Sequence, residues 1–379
     1  MAAPIYLDYN ATTPVDPEVL RAMRPFLEEE FGNPSSAYGA GIRAKRAVET
    51  ARSQVAALLH CRPGEIVFTS GGTESNNHAI RGITLANRDR GRHIVTSSIE
   101  HPAVLEVCRY LERHGFTTTH LPVDETGLVD PGQVEEAVTN ETVLISIMHA
   151  NNEVGTIEPI GEISKIARKR GIPFHTDAAQ SAGKIETDVE ALGVDLLTIA
   201  GHKLYAPKGI GALYVREGTV LEKFMHGAGQ ERGFRPGTEN VPFIAGLGKA
   251  CEMAFQDLES YGRLMKKFRD LLVHTLSSVL GDGVRLNGHP EKRLPNTASL
   301  GFRGRESTVL LAGLFDRVSV SAGAACHSGD TAVSPVLEAM KVPADFARGT
   351  LRFSTGRFTT EATIERAARI VLEVLNDSR

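Results

Sequence analysis

Short apolar runs of strand length alternate with stretches of helical spacing through the first two-thirds of this 379-residue chain, and this alternation restricts the fold most. The runs lie at 65–70, 93–97, 142–148, 172–177, 194–200 and 211–215, with a weaker candidate at 118–122. Between them, Ala44, Val48, Ala51, Val55 and Leu58 recur at helical spacing, and 102–114 and 160–170 also read as helices. Apolar strands joined by helical crossovers predict an α/β fold with a mainly parallel central sheet covered on both faces. Ligands of such sheets bind outside the carboxyl ends of the strands. The chemically suggestive residues fall there: 71–77, His101, Asn151-Asn152, 177–180 and His202-Lys203.

Beyond this region, 241–280 is helical in composition, with Gly246, Gly248 and Gly262 as the breakers after Pro242. It reads as connecting helices leading to a smaller α+β C-terminal domain. That domain has expected strands at 297–302, 318–321 and 350–353, and helices at 307–315, from Ser334 and from Glu361. The expected organisation is an N-terminal segment over 1–15 that packs with the small domain, a large domain over 16–250, and a small domain over 251–379.

Bulk properties exclude several classes. A net charge of −4 with both signs spread along the chain leaves no basic stripe for nucleic acid. No apolar run approaches the roughly 20 residues of a membrane span, and the first residues lack the pattern of a secretory signal. Four cysteines at 61, 108, 251 and 326 contain no Cys-x-x-Cys pair, so no metal site is expected. A reducing cytoplasm is the expected location.

The run 194–200 leads into Gly201-His202-Lys203, and the run 172–177 ends in Asp177. A lysine at a strand mouth either lies beside a surface turn or holds a carbonyl cofactor. An aspartate on a pyridine nitrogen and a lysine on an aldehyde is the pairing that pyridoxal phosphate requires. Asp177 alone also reads as a helix cap. The turn Ser70-Gly-Gly-Thr73 follows a strand and opens a helix, where free amides favour a phosphate and Thr73 adds a hydroxyl. An ordinary strand-to-helix turn has the same pattern. His101 begins the next helix, either as a cap or as a ring that stacks on a cofactor and moves protons.

Cys326 sits among small residues in Ala322-Gly-Ala-Ala-Cys-His-Ser328, a loop-like setting suited to an accessible thiolate nucleophile. The other three cysteines lie in apolar, helical surroundings. Arg352 interrupts an apolar strand and needs a partner, either an internal carboxylate or the carboxylate of a substrate.

Taken together, the segments 6–14, 69–77, 149–153, 175–180, 201–203 and 352–360 resemble the pyridoxal-phosphate-dependent cysteine desulfurases of the class V aminotransferase group, close to selenocysteine lyase. The resemblance runs almost end to end and implies the type I fold of pyridoxal-phosphate-dependent transferases. It implies Lys203 as the cofactor lysine, Asp177 as the pyridine partner and His101 as the stacking ring. Gln180 and Asn152 are then contacts to the cofactor's phenolic oxygen or the substrate, and Gly72, Thr73 and His202 hold the phosphate. Thr238 is implied to reach the phosphate of a neighbouring subunit, hence a homodimer with shared active sites. Arg352 is implied to bind the substrate carboxylate, and Cys326 to attack the substrate sulfur.

The implied reaction removes sulfur from L-cysteine, with Lys203 moving the α-proton, leaving L-alanine and a persulfide on Cys326. A sulfur-acceptor protein then takes the persulfide, for iron-sulfur clusters or thio-cofactors. Selenium release from L-selenocysteine is the alternative. Ala200 stands where many desulfurases carry serine, Pro102 departs from the usual residue after the histidine, and the segments 229–240 and 323–328 look more like selenocysteine lyase. Transamination is a third reading, but it requires no loop cysteine. A non-catalytic sulfur carrier is a fourth, opposed by the intact set of Lys203, Asp177 and Cys326.

Overall fold

The computed structural model describes residues 4–322 and 333–377. Its largest sheet has seven strands, in the order Ile66–Thr69, Gly211–Val215, Leu196–Ala200, Phe174–Asp177, Thr142–Ser146, His93–Ser97, Thr117–Leu121. All neighbours are parallel except Gly211–Val215, which runs against both of its partners. The expected mainly parallel sheet is therefore present, with the weak candidate near 118 forming its edge.

Burial on both faces follows from the two-residue period of strands. Ile66, Phe68, Leu197, Ile199 and Tyr214 enter one core, packed on the helices Gly39–Leu59, Ile160–Arg170 and the start of Val241–Leu280. Val67, Leu196, Leu213 and Val215 enter a second core, under the helices Gly72–Ala86 and Pro102–Glu112. Gly211 must be glycine, because a Cβ there would meet Ile199 O at 2.7 Å and Gly71 Cα at 2.8 Å.

The stretch 241–280 is one 40-residue helix, not a set of connecting helices. Its glycines are packing residues. A Cβ on Gly246 would meet Met23 at 2.8 Å, and one on Gly248 would meet Ala51 Cα at 2.5 Å. Their absence lets two helices approach closely, and this packing outweighs the roughly 1 kcal/mol helix cost of a glycine. Pro242 sits in the first turn, where its missing N–H is not needed. The buried face of the helix passes from the first core at Ala254 to a third at Phe268. A boundary at 250/251 thus falls within a continuous helix.

The third core lies against a four-stranded antiparallel sheet, ordered Ser321–Ala322, Thr350–Ser354, Thr297–Phe302, Val284–Asn287. The strand Val284–Asn287 alternates apolar and polar residues over only four positions, with Val284 and Leu286 packed on this core, and its residues 284–286 are half-buried. The helices Ser307–Leu314 and Glu361–Asp377 cover this sheet. Ile5–Tyr6 pairs in parallel with Val318–Ser319, and Leu7 enters the same core. Six residues after Leu7, Thr13 donates to His202 O and accepts from Tyr205 N. The N-terminal segment thus links the small sheet to the mouth of the large one.

Candidate active site

Parallel strands bring their carboxyl ends together, and four of them deliver the site. His93–Ser97 leads to His101, Thr142–Ser146 to Asn152, Phe174–Asp177 ends in Asp177, and Leu196–Ala200 leads to Lys203. His175 pins three of these strands at one level. Its Nδ1 lies 2.9 Å from Ser146 Oγ, and its Nε2 lies 3.1 Å from Thr198 Oγ1. Burial lowers the His175 pKa to about 3, so the ring is a neutral crosslink.

Asp177 is 6% exposed. One carboxylate oxygen accepts from Ala179 N at 2.9 Å and the other from Asn76 Nδ2 at 2.7 Å. It forms no ion pair among the described residues, although it lies in the field of His101 and Lys203. A nearly buried carboxylate with two neutral donors favours one further N–H of cationic character. No helix follows Asp177, so it is not the helix cap that the sequence also allowed; the bond from Ala179 N closes a turn and occupies only one oxygen.

Lys203 follows its strand in a short 3-10 turn. Its Nζ donates to Asn10 O and, at 2.7 Å, to Ala11 O. Burial, then the Arg352 guanidinium, lower its pKa to about 8, against the opposing pull of Asp8 and Asp177. An amine held by carbonyls alone and easily deprotonated is a competent nucleophile for an aldehyde.

His101 both caps and faces the site. Its Nδ1 accepts from Ala103 N at 3.1 Å, which leaves the ring proton on Nε2. Pro102 occupies the first helical position, where proline is preorganised, so this departure suits the helix start. The ring is open to solvent, yet the protein behind it, and then Lys203, lower its pKa, while Asp177 raises it.

Gly72 and Thr73 open the helix Gly72–Ala86 after Gly71, which has φ of +151°. A Cβ on Gly72 would sit 3.3 Å from the Ala200 methyl, so the turn and the end of the lysine strand are in contact. Alanine at 200 supplies packing there and no donor. His202 Nδ1 lies 3.2 Å from Thr12 Oγ1. Burial, then Lys203 and Lys208, lower its pKa to about 4.

Arg352 is 6% exposed and occupied. Nη2 pairs with Asp8 Oδ1 at 2.8 Å, Nη1 donates to Asn152 O at 3.0 Å, and Nε has no partner among the described residues. Asn152 thus reaches the site first through its backbone. Gln180 donates from Nε2 to Asn10 O at 2.9 Å. Thr238 is exposed, in the segment before Val241–Leu280 that Arg235 ties to Glu74 at 3.0 Å. Cys326 lies outside the described residues. Cys61, Cys108 and Cys251 are held near pKa 12, chiefly by burial.

Sequence reasoning missed Asp8, Asn10, Asn76 and Lys184. Asn76 and Asp8 stand inside segments that carried the resemblance, but nothing in their spacing points to a partner more than 100 residues away. The group set fits pyridoxal phosphate: a carboxylate without a counter-ion, an amine of lowered basicity, a ring beside both, and a glycine turn at a helix start.

The class-V aminotransferase family model matches residues 5–367. The cysteine desulfurase IscS of Dictyoglomus turgidum is 46% identical over 380 residues, covering 100% of this chain and 96% of that protein. The IscS of Methanosarcina thermophila is 47% identical over 376 residues, covering 99% and 93%. A solved NifS-like protein superposes with a TM-score of 0.91 at 40% identity, covering 99% and 100%. A structure of SspA in complex with cysteine gives 0.81 at 38% identity, covering 94% and 99%.

Proposed function

This chain belongs to the class-V aminotransferases, among the cysteine desulfurases, and from that membership we propose how its residues remove sulfur from L-cysteine. It is a pyridoxal-phosphate-dependent enzyme with the type I fold. The bound cofactor supplies a carbonyl for the substrate amine and a protonated ring that accepts electrons from bonds broken at the substrate.

Asp177 would hold the ring proton, His101 would cover the ring, and Gln180 would donate to its phenolic oxygen. Gly72, Thr73 and His202 take the phosphate in this subunit, with Thr238 contributed across a homodimer. Arg352 binds the substrate carboxylate and Asn152 orients the substrate. Lys203, freed from its carbonyl partners, takes the α-proton and returns it. The Cys326 thiolate forms an S–S bond as the substrate Cβ–S bond breaks. The products are L-alanine and a Cys326 persulfide, which passes to a sulfur-acceptor protein in the cytoplasm. Among the described residues no helix is long and apolar enough to cross a membrane.

The observation that carries this reading is the meeting of Lys203, Asp177, His101 and Arg352 at the carboxyl edge of the sheet, in a chain 42–47% identical to cysteine desulfurases. These relatives do not favour the selenocysteine lyase alternative. Purified protein incubated with L-cysteine and a dithiol reductant, which reduces the Cys326 persulfide, is expected to form alanine and sulfide in equal amounts, with sulfide lost in Cys326→Ala. A Cys326→Ala protein with undiminished turnover removes the nucleophile role. Turnover of L-selenocysteine alone restores the alternative.

A further inference from the structure

Lys184 is a buried cation that the reaction does not use. It is 6% exposed, in the turn that follows Asp177. Its Nζ donates to Gln180 O at 2.9 Å and to Gln180 Oε1 at 3.0 Å. No carboxylate among the described residues pairs with it, and the charges that reach it are those of Lys203 and Arg352. Burial, then these like charges, lower its pKa to about 7. A methionine would fill the same space at no such cost, so packing alone does not account for a lysine here.

Its hydrogen bonds provide a reason. The Gln180 amide has one acceptor end and one donor end. Asn10 O can only accept, so it faces Nε2, as found at 2.9 Å. Lys184 as an ammonium can only donate, so it faces Oε1. The amide is held from both ends in one orientation. The same Asn10 O also receives Lys203 Nζ, so a single carbonyl joins the glutamine to the reactive lysine.

We propose that Lys184 is a positioning residue, which holds the Gln180 amide with its nitrogen toward Asn10 O and the cofactor's ring oxygen. This rests on the reading that Gln180 faces that oxygen. With Lys184 gone, the amide loses its anchor and the ring oxygen loses a fixed N–H donor. A negative oxygen without its donor binds a neighbouring proton more tightly. The groups facing Lys203 are Arg352, Asp8, Asp177, His101, His202 and Lys184. Below its own pKa of about 7 Lys184 also adds a like charge, and losing that charge acts in the same direction.

The test is a pH titration of the visible absorbance band of holoenzyme reconstituted with pyridoxal phosphate, comparing wild type and Lys184→Met. The band's midpoint is expected to rise by about half a pH unit or more in the variant. If Lys184→Met does not fold, Lys184→Ala replaces it, titrated with and without ethylammonium. The midpoint should then return toward wild type with ethylammonium and not with ethanol. A variant whose thermal stability falls while its midpoint stays at the wild-type value overturns the proposal, as does a Lys184→Ala midpoint indifferent to ethylammonium. A wild-type protein that forms no visible band with the cofactor overturns the underlying reading instead.

Discussion

Arg352 and Asp8 are joined by a 2.8 Å ion pair across 344 residues of chain. Their side chains are 8% and 14% exposed. The arginine expected to grip a substrate carboxylate is therefore already paired with an internal carboxylate, the alternative that the sequence also allowed. Asp8 aims the guanidinium, and the Asn152 carbonyl holds its other terminal nitrogen.

Arg352→Ala is expected to raise KM for L-cysteine roughly 30- to 100-fold, from about 2–3 kcal/mol for a charge-assisted hydrogen-bonded pair. Arg352→Lys should recover little of this, because an ammonium cannot reproduce the planar fork. Steady-state kinetics decide the matter, and a KM within threefold of wild type for the alanine variant would reject the carboxylate role.

Lys203 predicts the pH dependence of cofactor loading. Only the neutral amine attacks an aldehyde. At pH 7 a lysine of pKa about 8 is roughly one-tenth neutral, against a few parts in ten thousand at the ordinary value of 10.5. The rate at which apoprotein gains the visible band should rise up to about pH 8 and then level off. A rise that continues without a plateau to pH 10 contradicts the lowered basicity.

Asn76 predicts cofactor retention. Its amide supplies one of the two donors that orient the Asp177 carboxylate. Asn76→Ala should lower kcat about tenfold and speed cofactor loss on dialysis, consistent with about 1–2 kcal/mol for a hydrogen bond to a charged group. Equal retention in variant and wild type would show that Asp177 does not need it.

Glu100 predicts a stability slope. It bridges the ends of two strands, accepting from Ser97 Oγ at 2.6 Å and Met148 N at 2.9 Å, just before His101. Burial pushes its pKa up to about 8 from 4.5. Between these values the folded chain holds a proton that the unfolded chain has released, so stability falls as pH rises through that window. Glu100→Gln mimics the neutral acid. Urea denaturation should show it more stable than wild type by roughly 1 kcal/mol or more at pH 8.5, with the difference closing toward pH 5. Parallel curves for the two proteins would count against a protonated Glu100.

Arg52 and Glu231 form a buried pair with two 2.7 Å hydrogen bonds, and Glu231 also accepts from Phe68 N at 2.9 Å. Glu231 and Arg232 both have positive φ, 45° and 56°. Glu231→Ala should destabilise the fold by about 3–5 kcal/mol, because it removes the buried counter-ion and leaves the guanidinium to the exposed Glu49, 3.2 Å from Nε. Calorimetry or denaturant titration measures this, and a loss under about 1 kcal/mol would show that Glu49 alone suffices for the arginine.

Much of the site was legible because its main residues follow strand ends. The strand at 93–97 and those at 211–215 and 297–302 have the bounds that their apolar patterns suggested. Lys203, Asp177 and His101 could be placed from the parallel-sheet rule alone. The strand at 284–287 was missed although Val284 and Leu286 alternate with Arg285 and Asn287, because a four-residue run just after a long helix is a weak strand signal. The glycines of 241–280 misled for a related reason. Local propensity marks a glycine as a breaker, while contact with Met23 and Ala51 makes it a packing requirement.

The sequence by itself determined the alternation of strands and helices, the position of Lys203 and Asp177 at strand ends, and the family, because these rest on short-range patterns and contiguous motifs. Only the tertiary structure decided which groups hold those residues in place. Asp8 on Arg352, Asn76 on Asp177, and the Asn10 carbonyl shared by Gln180 and Lys203 are hydrogen bonds between segments distant in the chain. Such bonds leave no periodicity in the sequence, since their energy depends on burial and on a partner that only folding brings within 3 Å.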